Sequence, residues 1–156
     1  MSTLLDEQEL AALEARIDEA LRAALDEIDA VAAVERGEID QPFWYVRIDG
    51  EVKQHFSAEF TLGQRTLVVE SYFMPEPEEN REAVYAQLLR RNRSMQGLGF
   101  VIGAENAVYL RGQIENRHVD EQAVDHLLAS VYEYTEQFFA PAMRIGYASR
   151  YQPSAT

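Results

Sequence analysis

Between Val52 and Leu62 the chain alternates strictly: Val52, Gln54, Phe56, Ala58, Phe60 and Leu62 are interleaved with Lys53, His55, Ser57, Glu59 and Thr61. Successive side chains of a strand point to opposite faces, so this run makes a strand with one apolar and one polar side, a pattern no helix satisfies. Such a strand needs partners beside it and apolar cover above it.

The flanking sequence supplies the partners. Phe43-Trp44-Tyr45-Val46-Arg47-Ile48 reads as a preceding strand, joined through Asp49-Gly50, a strong tight-hairpin signal. Gly63-Gln64 turns the chain again, and Arg65 to Met74 reads as a third strand through Leu67, Val69 and Phe73. Pro75-Glu76-Pro77 closes this meander, because proline has no N–H for a ladder. Further on, Phe100-Val101-Ile102 and Ala107-Val108-Tyr109-Leu110-Arg111 read as two short strands around the loop Gly103-Ala104-Glu105-Asn106.

Three helical patterns supply the cover. Leu10, Leu13, Ile17, Leu21, Leu25, Ile28 and Val31 recur at spacings of three and four, which predicts one amphipathic helix over about 3–36, opened by a Thr3–Asp6 capping pair and stopped at Arg36-Gly37. A second helix follows Glu78-Glu79, with Ala83, Val84, Tyr85 and Leu88 as its stripe, and breaks at Gln96-Gly97-Leu98-Gly99. A third starts near Asp120 and carries Val124, Leu127, Leu128, Val131, Phe138 and Phe139; Pro141 must kink it or end it before Ile145. The expected fold class is therefore α+β, an antiparallel β-sheet with helices packed on one face in the order α-β-β-β-α-β-β-α. It forms one domain over 1–156, with an N-terminal helix over about 3–36 and an α+β core over about 43–151.

Composition excludes several chemistries. With no cysteine there is no disulfide, thiolate nucleophile or sulfur-ligated metal. A formal net charge of −13 disfavours phosphate backbones and anionic lipid, so neither nucleic acid nor membrane is an expected partner. No apolar run reaches the roughly 20 residues of a membrane helix, and the opening Met1-Ser2-Thr3-Leu4-Leu5-Asp6 is unlike a signal peptide, so a cytoplasmic location is expected. No serine elbow or phosphate loop occurs, and Gly97-Leu98-Gly99 follows a helix where a dinucleotide fingerprint would follow a strand. His55, His118 and His126 form no helical pair; a metal site from His118, His126, Asp120 and Asp125 is outweighed by their reading as solvated surface. No cofactor, metal or catalytic residue is expected.

Two features remain as candidate sites. Arg90, Arg91 and Arg93 place three guanidiniums within four positions, either complementing the negative end of the second helix or docking an anionic ligand or acidic partner segment. Trp44 and Tyr45, with Phe43, put aromatic side chains on both faces of one strand, which is either central and covered or meets another chain as a homodimer face or partner groove.

The series Leu67-Val68-Val69-Glu70-Ser71-Tyr72-Phe73, Pro75-Glu76-Pro77-Glu78-Glu79-Asn80, Val84-Tyr85-Ala86-Gln87-Leu88-Leu89-Arg90-Arg91-Asn92-Arg93 and Gly99-Phe100 to Tyr109-Leu110-Arg111-Gly112 resembles the YbjN family, in its actinobacterial branch. The likeness extends from about Phe43 to Gly146, and Leu-Leu-Arg-Arg-Asn-Arg is its most specific part. That family is similar in fold to type III secretion chaperones and is labelled as sensory-transduction regulators. The resemblance implies a non-enzymatic, chaperone-like or regulatory protein that binds a protein client and forms a homodimer. The rival expectation is a sensor or enzyme that takes a small anionic metabolite through Arg90, Arg91 and Arg93.

Overall fold

A computed structural model describes residues 4–37 and 40–151. Helix α1 (Glu7–Glu27) is capped by Asp6, whose carboxylate accepts from the Glu9 N–H at 2.8 Å; Thr3 lies outside the described residues. Leu13, Ile17, Ala20, Leu21 and Ala24 form its buried stripe. The helix expected to run to about 36 stops at Glu27, and Val31–Arg36 is instead strand β1, so the order gains a strand: α-β-β-β-β-α-β-β-α. The cause is a β-bulge. Between Val31 and Ala33 the register against β2 (Phe43–Asp49) slips by one residue, so the covered valines Val31 and Val34 fall three apart instead of two. A bulged strand thus imitates the spacing of a helix.

Strands β3 (His55–Leu62) and β4 (Thr66–Met74) complete the meander, and β2 and β3 alternate buried and open positions as the two-residue rhythm requires. The Asp49-Gly50 turn is longer than a tight hairpin: Asp49 pairs with His55, and Lys53 sits in the connecting loop, outside the strand. Glu136 closes that loop from 83 residues away, its carboxylate accepting from the N–H groups of Glu51, Val52 (2.7 Å) and Lys53 (3.3 Å).

Helix α2 (Arg81–Asn92) carries the chain to strand β5 (Gly99–Ile102), and β6 (Val108–Glu115) returns between β4 and β5. The sheet is antiparallel throughout, ordered β1-β2-β3-β4-β6-β5, with β1 and β5 at its edges. Helix α3 (Glu121–Gly146) is capped by Asp120, which accepts from the Ala123 N–H at 2.7 Å, and runs through Pro141 without ending before Ile145. Its last turn is anchored: the Gly146 carbonyl accepts from the Glu79 N–H at 2.9 Å, and the Ile145 carbonyl accepts from Asn80 Nδ2 at 2.9 Å. A methyl on Gly146 would stand 3.1 Å from Pro77 Cβ and 3.2 Å from Val84 Cγ2.

The helices cover one face of the sheet. Beneath α1 and α3 lie Trp44, Val46, Ile48, Phe60 and Val69, while Phe73, Phe100 and Phe138 pack edge-on beside α2, with Phe73 and Phe100 centroids 4.7 Å apart. The other face shows Tyr45, Arg47, Tyr72 and Arg111 to solvent. Among the described residues no helix is long and apolar enough to cross a membrane.

Replacing Glu136 by Ala removes the acceptor for the loop joining β2 and β3. The expected cost is about 1–2 kcal/mol, the lower range for a charged hydrogen-bonding group because the site is part-exposed. Urea unfolding checks it, and an unchanged midpoint would show that the loop holds itself.

Candidate partner-binding surface

At one edge of the sheet α2 and β5 form a corner. Val84 and Leu88 turn inward from α2, which leaves Leu89 66% exposed, next to Ile102 (56%) and Val101 (38%) on β5. Tyr85, Leu88 and Phe100 join them around an apolar cleft of about 340 Å³. Singly exposed apolar residues are ordinary; three adjoining ones beside an edge strand form an exposed apolar patch.

The edge itself is shut at one point. Asn92, the last residue of α2, accepts from the Phe100 N–H at 2.7 Å and donates Nδ2–H to the Phe100 carbonyl at 3.2 Å. A carboxamide there does what the backbone of a seventh strand would do, so a passing chain cannot extend the sheet at Phe100. The Leu88 to Arg93 segment is conspicuous for its charge, yet its neutral residue organises the corner. Only tertiary pairing reveals this, for an asparagine near a helix end reads locally as a stop signal.

The arginines behave differently from one another. Arg91 lies over the Phe138 ring at 5.3 Å, Arg90 lines a broad depression with Arg81 and Gln87, and Arg93 caps the helix end. None of the three makes an ion pair with a described residue. Among the described residues, Arg90 is the one member of the trio lining that depression.

Trp44 is fully buried; its Nε1–H donates to Asp18 Oδ1 at 3.1 Å, and the Arg36 guanidinium lies 4.8 Å from its ring centroid. It therefore cannot touch a partner, which corrects the expectation placed on it: the strand's two aromatic faces are one covered and one open. Burial pushes the Asp18 carboxyl up, but hydrogen bonds from Arg22 and Trp44 outweigh it and leave its pKa below the usual carboxylate range. Tyr45, on the open face, is 38% exposed and lines a groove of about 540 Å³ with Glu59, Glu70, Tyr72 and Tyr109.

Lys53 closes one end of that groove. Its Nζ donates to the carbonyls of Tyr72 (2.9 Å) and Phe73 (2.8 Å), where the pairing of β4 with β6 shifts register, and stands 5.2 Å from the centre of the Tyr72 ring. Burial lowers its pKa to about 8. Of the residues weighed for a metal, Asp120 is spent on its helix cap, and Asp125 gathers with Glu27 and Glu121 instead of with a histidine.

Two outcomes follow from these contacts. Asn92→Leu leaves the buried Phe100 N–H and C=O without partners and is expected to lower stability by about 1–3 kcal/mol in urea unfolding, with Asn92→Asp, which keeps the acceptor, losing less. As the chain's one lysine, Lys53 can be titrated by NMR without overlap, and its midpoint is expected near 8. The unfolded chain holds that proton to about 10.4. Between these values it binds more protons than the folded chain, so stability relative to Lys53→Met rises as pH climbs through that window and is flat below it. A midpoint near that of a free lysine would contradict the assignment.

Comparison with known proteins places the chain. The YbjN family model, described as "Putative bacterial sensory transduction regulator", matches residues 19–142. The uncharacterized protein Rv0487 of Mycobacterium tuberculosis strain H37Rv is 33% identical over 111 residues, covering 71% of this chain and 61% of the relative. The uncharacterized protein ML2442 of Mycobacterium leprae is 30% identical over 107 residues, 69% of this chain and 58% of the relative. The chain thus spans about three fifths of these relatives' length. Among solved structures, a chain of the HopA1-SchA chaperone-effector complex superposes with a TM-score of 0.61 at 13% identity, covering 87% of this chain and 98% of that one. A chain of the ExsC-ExsE complex gives 0.59 at 16% identity, covering 82% and 94%. At such identities these likenesses establish a shared fold, that of type III secretion chaperones, as the sequence resemblance implied.

Proposed function

The chain belongs to the YbjN family, and we propose that it is a non-enzymatic, protein-binding regulator of chaperone-like form whose α2–β5 corner seats an apolar segment of another protein chain. The observation that carries this reading is the corner itself: Leu89, Val101 and Ile102 stand exposed together around an apolar cleft. Burying a leucine or isoleucine side chain contributes about 1.5–3 kcal/mol, so two anchors at this corner suffice to make binding selective. Chains that share the fold were solved in a chaperone-effector complex, which agrees with a protein ligand.

Because Asn92 occupies the edge at Phe100, the ligand docks through side chains in the cleft and not by adding a strand there. The same corner serves for self-association, and it replaces the first-strand aromatics as the homodimer surface once Trp44 is buried. Arg90, Arg91 and Arg93 belong to the helix end that follows Leu89 and favour an acidic flank on the bound segment over a free metabolite, since nothing gathers all three into one pocket.

Leu89→Asp with Ile102→Asp tests the proposal. Both side chains are exposed, so stability should stay within about 0.5 kcal/mol. Light scattering of the purified protein and affinity capture from extract, each against wild type, should show the associated mass or the captured partner reduced at least tenfold. If the double variant and wild type are both monomers and capture identical proteins, the corner is not a binding surface.

A further inference from the structure

The sheet face turned away from the helices carries an unusual cross-strand row. Tyr45 on β2 pairs with Glu59 on β3, Glu59 with Glu70 on β4, and Glu70 with Arg111 on β6. Like charges directly opposite each other on neighbouring strands are destabilising. Arg111 Nε reaches Glu70 at 3.6 Å, but Glu59 has no hydrogen bond or ion pair among the described residues. Burial raises the pKa of Glu59, and the charge of Glu70 raises it further. Folding gains nothing from this pair of carboxylates.

Their surroundings are aromatic. Tyr45 and Tyr72 are 38% and 46% exposed, and Tyr72 meets Tyr109 edge to face at 5.6 Å. The other charges at the groove are already engaged: Lys53 is turned onto two carbonyl oxygens, and His55 Nδ1 lies 3.0 Å from Asp49. That leaves the Glu59 end of the groove anionic, open and walled by tyrosine rings.

We propose that this open sheet face receives an arginine side chain from a basic segment of a protein partner, with the guanidinium set between Glu59 and Glu70 against the tyrosine rings. Side chains opposite each other on adjacent strands stand about 5 Å apart, and one guanidinium, with five N–H donors in a plane, serves both carboxylates at once. Its flat face also stacks on tyrosine, whereas a lysine ammonium is compact and strongly hydrated. The net charge of −13 draws a basic segment toward the protein and repels nucleic acid. This surface is separate from the α2–β5 corner, so each can fail without the other.

The test is an NMR titration at low ionic strength with a blocked Ala-Arg-Ala peptide, following the ring signals of Tyr45, Tyr72 and Tyr109. Saturable shifts are expected, at least fivefold weaker in Glu59→Gln/Glu70→Gln and at least threefold weaker for Ala-Lys-Ala. A charge-matched control, Glu19→Gln/Glu133→Gln on exposed helix positions, should stay within twofold of wild type. If the double variant does not fold, Glu59→Gln alone, which relieves the like-charge contact, should give the same direction of loss. Ring signals that never saturate, or an equal loss in the control, would overturn the proposal.

Discussion

One cross-strand row sets the shape of the protein. Trp44 pairs with Phe60, Phe60 with Val69, and Val69 with Gly112, so the covered face of the sheet tapers from the largest side chain to none. At the wide end α1 passes over and its Asp18 carboxylate takes the indole N–H. At the narrow end the chain between α2 and β5 lies directly on the sheet: a methyl on Gly112 would come within 2.2 Å of the Gly97 carbonyl oxygen. Close packing allows no void under either end, so the volumes in this row decide how far each covering element stands from the strands.

The position of α2 follows from that approach. With Gly97 and Leu98 pressed against Gly112 of β6, the end of α2 comes near enough to β5 for Asn92 to satisfy both edge groups of Phe100. The opposite end of the helix is fixed by Asn80, in left-handed conformation at φ 51°, whose amide reaches the last turn of α3. Held at both ends, α2 buries Val84 and Leu88 and has no packing left for Leu89. The exposed corner is thus a by-product of how tightly the helix is seated.

Two surfaces of unlike chemistry result, an apolar one at the sheet edge and a polar aromatic one across the open face. Part of each was legible in the residues. In sequence, Leu88 to Arg93 stands out by its charges, whereas the part Asn92 plays depends on a strand it meets only after a turn. Tyr45, expected as a contact residue, lies on the open face, while the pairing with β3 puts its neighbour Trp44 on the covered one. Glu59 and Glu70 carry no local signal, since they become neighbours only through strand register.

The amino-acid order alone determined the central strands, the helices at each end of the chain and the need for apolar cover on one sheet face, since these depend on side-chain period and on capping within a few residues. It misassigned Val31–Arg36, where a bulge turned a two-residue rhythm into a three-residue one. Tertiary structure decided which aromatic side chain is buried, which amide closes the edge and which carboxylates face each other. Those outcomes rest on contacts between residues far apart in the chain, and no local window of sequence contains both partners.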